Sequence, residues 1–372
     1  MRIAIEAQRI FRKEKHGMDF VVLEILRRLP KLAPQDEFFV FVAPGNDECL
    51  QESSNLHIIQ LSCPGGYPMW EQVALPSAVR KLKPDVLHCT SNTAPIFCSC
   101  PLMITLHDII FLEKQAQKNK SLYQGLGRLY RKLVVPAVVP HCKKIITVSN
   151  YEKARIAKAF PLEDGVLSAV YNGFGSLFHP MEKADAQKTA SKYISGRYLF
   201  FLGNTDPKKN TDNVMRAYAM YLEQSAEKLP LLVADLSAEK AAAIAQQAGV
   251  PQVMEHIKLP GYIANTDLPA IYNAADAFLY PSLRESFGIP LLEAMACGTP
   301  VISANTSCIP EIAGNAGILV NPLEPGAIAD ALLHLENDAA YREDVISKGM
   351  ERAKEFNWDS TAAKVLEIYH NF

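Results

Sequence analysis

The sequence predicts an α/β protein of two domains, each built on a doubly wound parallel sheet, and three observations carry that reading. The chain has 372 residues, enough for two cores at about 100 to 200 residues per domain. Short apolar runs alternate with amphipathic stretches along the whole length, the pattern of βαβ units whose helices cover both faces of a sheet. The alternation pauses once, between Tyr171 and Arg197, and then resumes.

In the first half the predicted strands are IAIEA, FFVFVA, LHIIQL, DVLHC, LMITLHD and KIITVS, with a helix near Phe20 to Leu32 after the first. The pause holds YNGFGSLFHP, where the Asn172-Gly173 pair and the polar stretch that follows mark a turn and a candidate hinge. The strands RYLFFLG, PLLVAD, EHIKLPG, AFLYPS, PVISAN and GILVN come next. Helices over Asp212 to Gln224, Ala238 to Ala248, Leu268 to Asn273 and from Pro290 separate them. Ala362, Val365, Leu366 and Tyr369 recur at helical spacing, so Trp358 to Phe372 reads as a terminal helix. The expected domains are residues 1–175 and 176–357, with 358–372 crossing back to the first.

Composition excludes several classes. Lys and Arg number 38 against 40 Asp and Glu, a formal net charge of −2, so the chain as a whole offers nucleic acid no electrostatic handle. Hydrophobic residues at 49% and charged residues at 21% fit a soluble globular protein, and no run reaches the roughly 18 apolar residues of a membrane span. The opening MRIAIEA enters a strand at once and leaves no room for a signal peptide, which predicts a cytosolic chain. The eight cysteines include no CxxC pair, and Cys98 and Cys100 have no partners at zinc-ligand spacing, so all read as reduced structural thiols. The lack of a GxGxxG after a strand and of a GxxxxGK[ST] loop argues against a dinucleotide dehydrogenase and a P-loop NTPase. No two aspartates are separated by one residue.

The most informative segment is FLYPSLRESFGIPLLEAMACGTPVISAN. Its strand, Ala277 to Tyr280, runs into a loop carrying Glu285. Gly288 then allows a tight turn, and Pro290 starts a helix that holds Glu293. A helix N-terminus at the carboxyl edge of a parallel sheet suits a phosphate, here through the N–H groups of Phe287, Gly288 and Ile289. Two acids beside such a site are placed to accept hydrogen bonds from neutral sugar hydroxyls.

This string, with IPEIAGNAGILVNP after it, resembles the Glu-x7-Glu motif of family 4 retaining glycosyltransferases, and the resemblance runs from the first strand to the last helix. It implies the GT-B fold, two Rossmann-like domains facing across a cleft. It also implies that Glu285 contacts the donor sugar and that Glu293 binds the nucleotide ribose. GNTDPKKN resembles the family's phosphate loop, with Gly203 at a strand end and Lys209 as the cation on the diphosphate. Asn204 stands where the family often has Arg, and Lys208 is the candidate to compensate. In TLHDIIF, His107 resembles a family histidine that lies against the donor sugar, and Gly17, beside His16, resembles a glycine of the loop near the diphosphate. Gly261 and Tyr262 in LPGYIANTDL resemble the loop that cups the base. Asp235 ends a strand that the family commonly ends in Gly.

The resemblance therefore implies a transferase that moves a hexose, of the mannosyltransferase type, from a nucleotide-diphosphate sugar to a glycan or lipid-linked acceptor in cell-surface polysaccharide synthesis. No cofactor or metal is expected, because a lysine loop and a helix N-terminus stand where metal-dependent transferases use paired aspartates. A nucleotide-sugar 2-epimerase of the same fold and a non-catalytic nucleotide-sugar-binding protein are the alternatives. From Lys114 through Tyr151 there is no Asp or Glu, and Lys114, Lys118, Lys120, Arg128, Arg131, Lys132, Lys143 and Lys144 fall within that stretch. Leu122, Leu126, Leu129 and Leu133 recur there at helical spacing. Such a segment is suited either to peripheral contact with an anionic membrane at its inner face or to a solvated helix with a core face.

Overall fold

The computed structural model describes residues 1–13, 15, 17–113 and 122–372, except for the side chains of residues 122–124. Its contacts divide the chain into two compact units, Met1–Gly173 with Trp358–Phe372, and Phe174–Asn357. All eight cysteines are free thiols. Among the described residues no helix is long and apolar enough to cross a membrane.

The first unit holds a seven-stranded parallel sheet, order β3-β2-β1-β4-β5-β6-β7. Its strands are β1 (Arg2–Glu6), β2 (Glu37–Val42), β3 (Leu56–Gln60), β4 (Val86–Cys89), β5 (Leu102–Thr105), β6 (Lys144–Thr147) and β7 (Leu167–Ala169). The central strand β4 is buried along its whole length, as expected of a parallel strand covered on both faces. The edge strand β7 was not expected: LSA has one fully buried residue and no apolar run to announce it. The predicted helix from Phe20 to Leu32 is two helices, Gly17–Leu26 and Leu29–Leu32. Pro30 explains the break, since it has no N–H for an interior turn but fits the first turn of a new helix.

The second unit holds a six-stranded parallel sheet, order β10-β9-β8-β11-β12-β13. Its strands are β8 (Leu199–Leu202), β9 (Leu231–Ala234), β10 (Ile257–Gly261), β11 (Ala277–Tyr280), β12 (Val301–Ala304) and β13 (Ile318–Val320). Helices Thr211–Gln224 and Pro325–Asn337 cover one face with Val214, Tyr218, Ile328 and Leu332. Side chains close the helix starts: Ser237 accepts from the Lys240 N–H at 3.4 Å and Asp338 from the Tyr341 N–H at 2.8 Å.

The terminal helix Trp358–His370 belongs to the first unit, although 184 residues of the second separate it from Gly173 in sequence. Its Tyr369 hydroxyl lies 2.6 Å from Nδ1 of His88 on β4, and Nε2 of that ring lies 2.7 Å from the Thr105 hydroxyl on β5. Burial, with His107 nearby, pushes the His88 pKa down to about 3, so the ring is a neutral bridge between sheet and helix. Tyr369→Phe removes one partner from a buried polar ring. It should cost about 1 to 3 kcal/mol, read as a lower denaturation midpoint at unchanged slope.

Candidate functional site

The second sheet reverses its order at the pair β8–β11: β8 continues to β9 on one side, while β11 continues to β12 on the other. Ligands bind outside the carboxyl ends of the strands at such a point. The residues gathered there come from the loops after β8 and β11.

Gly203 follows β8, and a Cβ on it would lie 2.5 Å from Cγ1 of Val233, so no other residue permits this approach of backbone to β9. The loop beyond it is held by its own side chains. Asn204 Oδ1 accepts from the Asp206 N–H at 3.0 Å, and the Asp206 carboxylate accepts from the Lys208 N–H at 3.1 Å. Asn204, expected at the donor, thus spends its side-chain oxygen on this turn. The buried Asn210, at φ 62°, donates to the carbonyls of Pro281 at 3.0 Å and Pro322 at 2.6 Å, which ties the lysine loop to the loops after β11 and β13.

This stitching sets Lys209 against Glu285. The ammonium lies 2.7 Å from Oε1 of Glu285 and 5.1 Å from the centre of the Tyr280 ring. The two side chains are only 21% and 14% exposed, so the pair is largely removed from water. Ser307, at φ 64°, fixes the Glu285 backbone: its hydroxyl accepts from the Glu285 N–H at 3.0 Å and donates to the Glu285 carbonyl at 2.6 Å. Burial and the neighbouring Glu285 carboxylate push the Tyr280 phenol well above its ordinary pKa. Lys208 points elsewhere, about one third exposed and 3.8 Å from Asp206.

Gly288 sits at φ 103° and caps the helix Ile289–Ala296, with Pro290 second rather than first in it. As the first residue of that helix, Ile289 has an N–H with no intrahelical acceptor, Pro290 has no N–H to offer, and the N-terminal dipole adds to the site. Phe287 is buried with its ring 6.0 Å from Phe356, so it anchors the turn through its side chain. Glu293 follows one turn later. Burial pushes its carboxyl up to about 8, opposed only by the Tyr272 hydroxyl, so the acid is mostly neutral at pH 7 in the ligand-free protein. That differs from the ionised acceptor expected from sequence.

Gly261, at φ 77°, ends β10, two strands from β8, and its carbonyl accepts from the Asp235 N–H at 2.9 Å. Asp235 is itself left-handed at φ 60° at the end of β9, with its carboxyl pKa raised by desolvation from the protein around it. Tyr262 is well exposed beside them.

In the first unit, buried His107 follows β5. Its N–H donates to Oδ1 of Asn92 at 2.5 Å, and Nε2 lies 3.1 Å from the Thr90 carbonyl. A carbonyl only accepts, so Nε2 carries the proton and the Nδ1 lone pair is the ring's accepting side. Burial lowers the His107 pKa, which keeps the ring neutral. Gly17 opens the helix Gly17–Leu26, and nothing lies within 4 Å of where its Cβ would be. Two residues on, buried Asp19 pairs with Arg9 at 3.3 Å and with Arg12. His16 lies outside the described residues.

The loops after β8 and β11 thus bring together Gly203, Asn204, Lys208, Lys209, Glu285, Phe287, Gly288, Ile289 and Glu293; Gly261 and Tyr262 lie at the edge of the same sheet, while His107 and Gly17 belong to the other unit. Asn92, Asn210, Ser307 and Tyr280 were missed. The three non-aromatic ones hold left-handed backbone, which a sequence does not display outside Gly, but each sits in a short polar run just past a strand or turn (SNT, KNT, NTS).

A family model described as Glycosyl transferases group 1 matches residues 183–352, and one described as Glycosyltransferase Family 4 matches residues 16–174. The O-antigen chain mannosyltransferase B of Escherichia coli is 29% identical over 229 residues, which cover 61% of this chain and 60% of that protein. The chain thus aligns with less than two thirds of the length of that relative. Among solved structures, sucrose-phosphate synthase from Thermosynechococcus elongatus superposes with a TM-score of 0.76 at 20% identity, covering 100% of this chain and 98% of that one. Anabaena Alr3699/HepE, solved in complex with UDP and glucose, gives a TM-score of 0.75 at 18% identity with 100% of both chains covered.

Gly203→Ala tests the geometry at the strand end independently of activity. The new methyl has to displace a β-branched side chain, so the variant should lose about 1 to 3 kcal/mol in denaturant unfolding. An unchanged midpoint would mean that the backbone there is not closely packed.

Proposed function

Because the chain belongs to the group 1 glycosyltransferases of family 4 and has the GT-B fold, we propose that it is a retaining glycosyltransferase that moves a hexose, mannose first among the candidates, from a nucleotide-diphosphate sugar to a glycan or lipid-linked acceptor. The setting is cell-surface polysaccharide synthesis, with the enzyme cytoplasmic and working at the inner membrane face.

The observation that carries this reading is the Lys209–Glu285 pair at the sheet's switch point. A nucleotide-diphosphate sugar carries anionic phosphate next to neutral hydroxyls, and the pair offers it a cation next to an acceptor. Lys209 takes the β-phosphate, Glu285 takes sugar hydroxyls, and the N-terminus of Ile289–Ala296 faces the remaining phosphate oxygens. Gly203 lets the diphosphate approach the backbone. Glu293 accepts the ribose hydroxyls, and Gly261 and Tyr262 flank the base.

In the reaction the bond between the anomeric carbon and the phosphate oxygen breaks, and its electron pair leaves with the diphosphate. Charge on that oxygen grows beside the Lys209 ammonium, which stabilises the transition state more than the bound donor. The acceptor hydroxyl attacks on the same face and gives its proton to the departing phosphate oxygen, so no enzymic nucleophile and no metal is required. Trapping a covalent glycosyl adduct on a side chain would overturn this route, as would a rate abolished by EDTA and restored by Mn²⁺ or Mg²⁺. Product formed from donor without any acceptor would favour the epimerase.

Two measurements test the roles. Removing a transition-state contact worth about 3 kcal/mol slows transfer roughly a hundredfold, so Lys209→Ala should lower kcat by that factor with a smaller change in KM. Glu285→Ala should lose turnover while binding the free nucleoside diphosphate almost normally, and equal weakening of nucleotide binding in Glu285→Ala and Glu293→Ala would refute the division between them.

The raised pKa of Glu293 adds a pH dependence. Two ribose hydroxyls need both carboxylate oxygens as acceptors, so binding selects the ionised form and releases a proton. With a pKa of about 8, roughly one tenth of the protein is ionised at pH 7 and nine tenths at pH 9, so affinity for the nucleoside diphosphate should rise about tenfold between them. Glu293→Gln should bind more weakly at pH 9 and show a flat profile in calorimetry.

A further inference from the structure

The loop between β4 and β5 carries two thiols that the proposed site does not use. Its first half is held from one side chain, Gln72, whose amide donates to the Ala94 carbonyl at 3.1 Å and accepts from the Ile96 N–H at 2.9 Å. The same amide donates to the Tyr130 hydroxyl at 2.8 Å, on a helix, Leu122–Val138, whose Val134, Val135 and Val138 join the core while Leu126, Leu129 and Leu133 stay exposed. Lys114, Lys118 and Lys120, the start of the basic stretch before this helix, lie outside the described residues. The far end of the loop is fixed by the Leu87 N–H, which donates to the Pro101 carbonyl at 3.0 Å.

Between these anchors the Sγ atoms of Cys98 and Cys100 lie 3.6 Å apart. Both thiols are half-buried, and Phe97 and Ser99 on either side of Cys98 are exposed, so a small molecule reaches them from solvent. The S–H of Cys100 and the N–H groups of Cys100 and Ser99 favour a thiolate on Cys98 and lower its pKa, while the same contact and desolvation push Cys100 up. Cys98 is the nucleophile of the pair and Cys100 the thiol beside it. The other cysteines are placed differently: Cys89, Cys142, Cys297 and Cys308 are buried, and Cys49 and Cys63 donate to the carbonyls of Ile10 at 3.2 Å and Pro64 at 3.3 Å. Two sulfurs fall short of the four ligands of a structural zinc, and among the described residues no group of three His, Cys, Asp or Glu could hold a metal.

We propose that Cys98 and Cys100 form a thiol–disulfide exchange site for low-molecular-weight disulfides. The Cys98 thiolate attacks one sulfur of the small disulfide; that S–S bond breaks, and its second sulfur leaves as a thiolate that takes up the proton Cys98 released. Cys100 then loses its proton and attacks the Cys98 sulfur, closing the protein disulfide, and the remaining half leaves with that proton as a second thiol. The two protein thiols give up two electrons and two protons, and the small disulfide becomes two thiols. Closure draws the sulfurs from 3.6 Å to about 2.0 Å. The bonds to Gln72 and Leu87 hold the loop on both sides, so the movement falls on Phe97–Cys100. A disulfide closed in an exposed loop is of the readily reduced kind, which makes the step reversible. The site lies in the first unit and does not depend on the transferase reading.

The test is mass spectrometry of the reduced full chain after incubation with glutathione disulfide. The wild type should lose two hydrogens and keep no glutathionyl group, with Cys98 and Cys100 then protected from iodoacetamide and recovered by dithiothreitol. Cys100→Ser should stop at the first step and keep one glutathionyl group on Cys98. Cys98→Ser should react about tenfold or more slowly than Cys100→Ser. Circular dichroism checks both variants for folding; brief alkylation of the untreated wild type makes the same case without a substitution, because Cys98 should be the first of the eight cysteines labelled. Another cysteine labelled first, a wild type whose mass does not change, or oxidation that instead links two chains overturns the proposal. So does a glutathionyl group that the wild type retains, because Cys100 then fails to displace it.

Discussion

The site is organised around one contact, the 2.7 Å pairing of Lys209 with Glu285 across 76 residues of sequence. A lysine or a glutamate that is largely removed from water is costly alone, and each makes the other tolerable. Their neutral total lets the loop after β8 and the loop after β11 meet without excess charge. Because the pair is spread over two loops, both loops must be rigid, and the structure supplies that rigidity with Asn210 on one side and Ser307 on the other. An anion that takes the ammonium releases the carboxylate for hydroxyls. Binding and reorganisation are then one step, and the ligand has to bring both kinds of group.

The second acid near this pair is raised by burial. Glu293 is lifted to about 8. For the diphosphate proposed as ligand this is a gain, because a second permanent anion in the site would compete with it for Lys209. Glu293 becomes an acceptor of full strength only when hydroxyls arrive to share its charge. The sequence shows a second glutamate; only its folded surroundings raise its pKa.

Most of the fold was legible because parallel sheets bury their strands on both faces, so β1, β2, β4, β8, β9, β11 and β12 all read as plain apolar runs. The edge strand β7 was not, since LSA has little to bury, and neither was the break in the first helix, where only Pro30 hinted at a new start. At the second sheet's carboxyl edge the legible residues were those whose chemistry is in the side chain: Lys209, Glu285 and Glu293. Those missed act through backbone. Asn92, Asn210 and Ser307 take left-handed conformations where glycine would be the usual choice, and they keep a side chain there because it bonds a neighbouring loop. Asn204 is the converse, a position expected to face ligand whose side-chain oxygen instead closes its own turn.

The helix Leu122–Val138 shows what spacing alone leaves undecided. Its leucines and its valines each recur at helical intervals, so periodicity offers two apolar faces and no means to choose which one meets the sheet. The choice falls to Tyr130, which lies between the two stripes, packs against the valines' core and carries a hydroxyl. Glu71 is fully buried and takes bonds from Tyr67, Thr93 and Gln72 as well as Tyr130, with no cation among these donors, so burial raises its pKa and each donor offsets part of the cost of keeping it inside. Rolling the helix to bury the leucines would take Tyr130 away from that carboxyl and from Gln72 at once. Two unsatisfied buried groups outweigh the gain from covering three leucines that the sheet already has valines to replace. An internal polar cluster therefore decides which hydrophobic surface the protein keeps exposed.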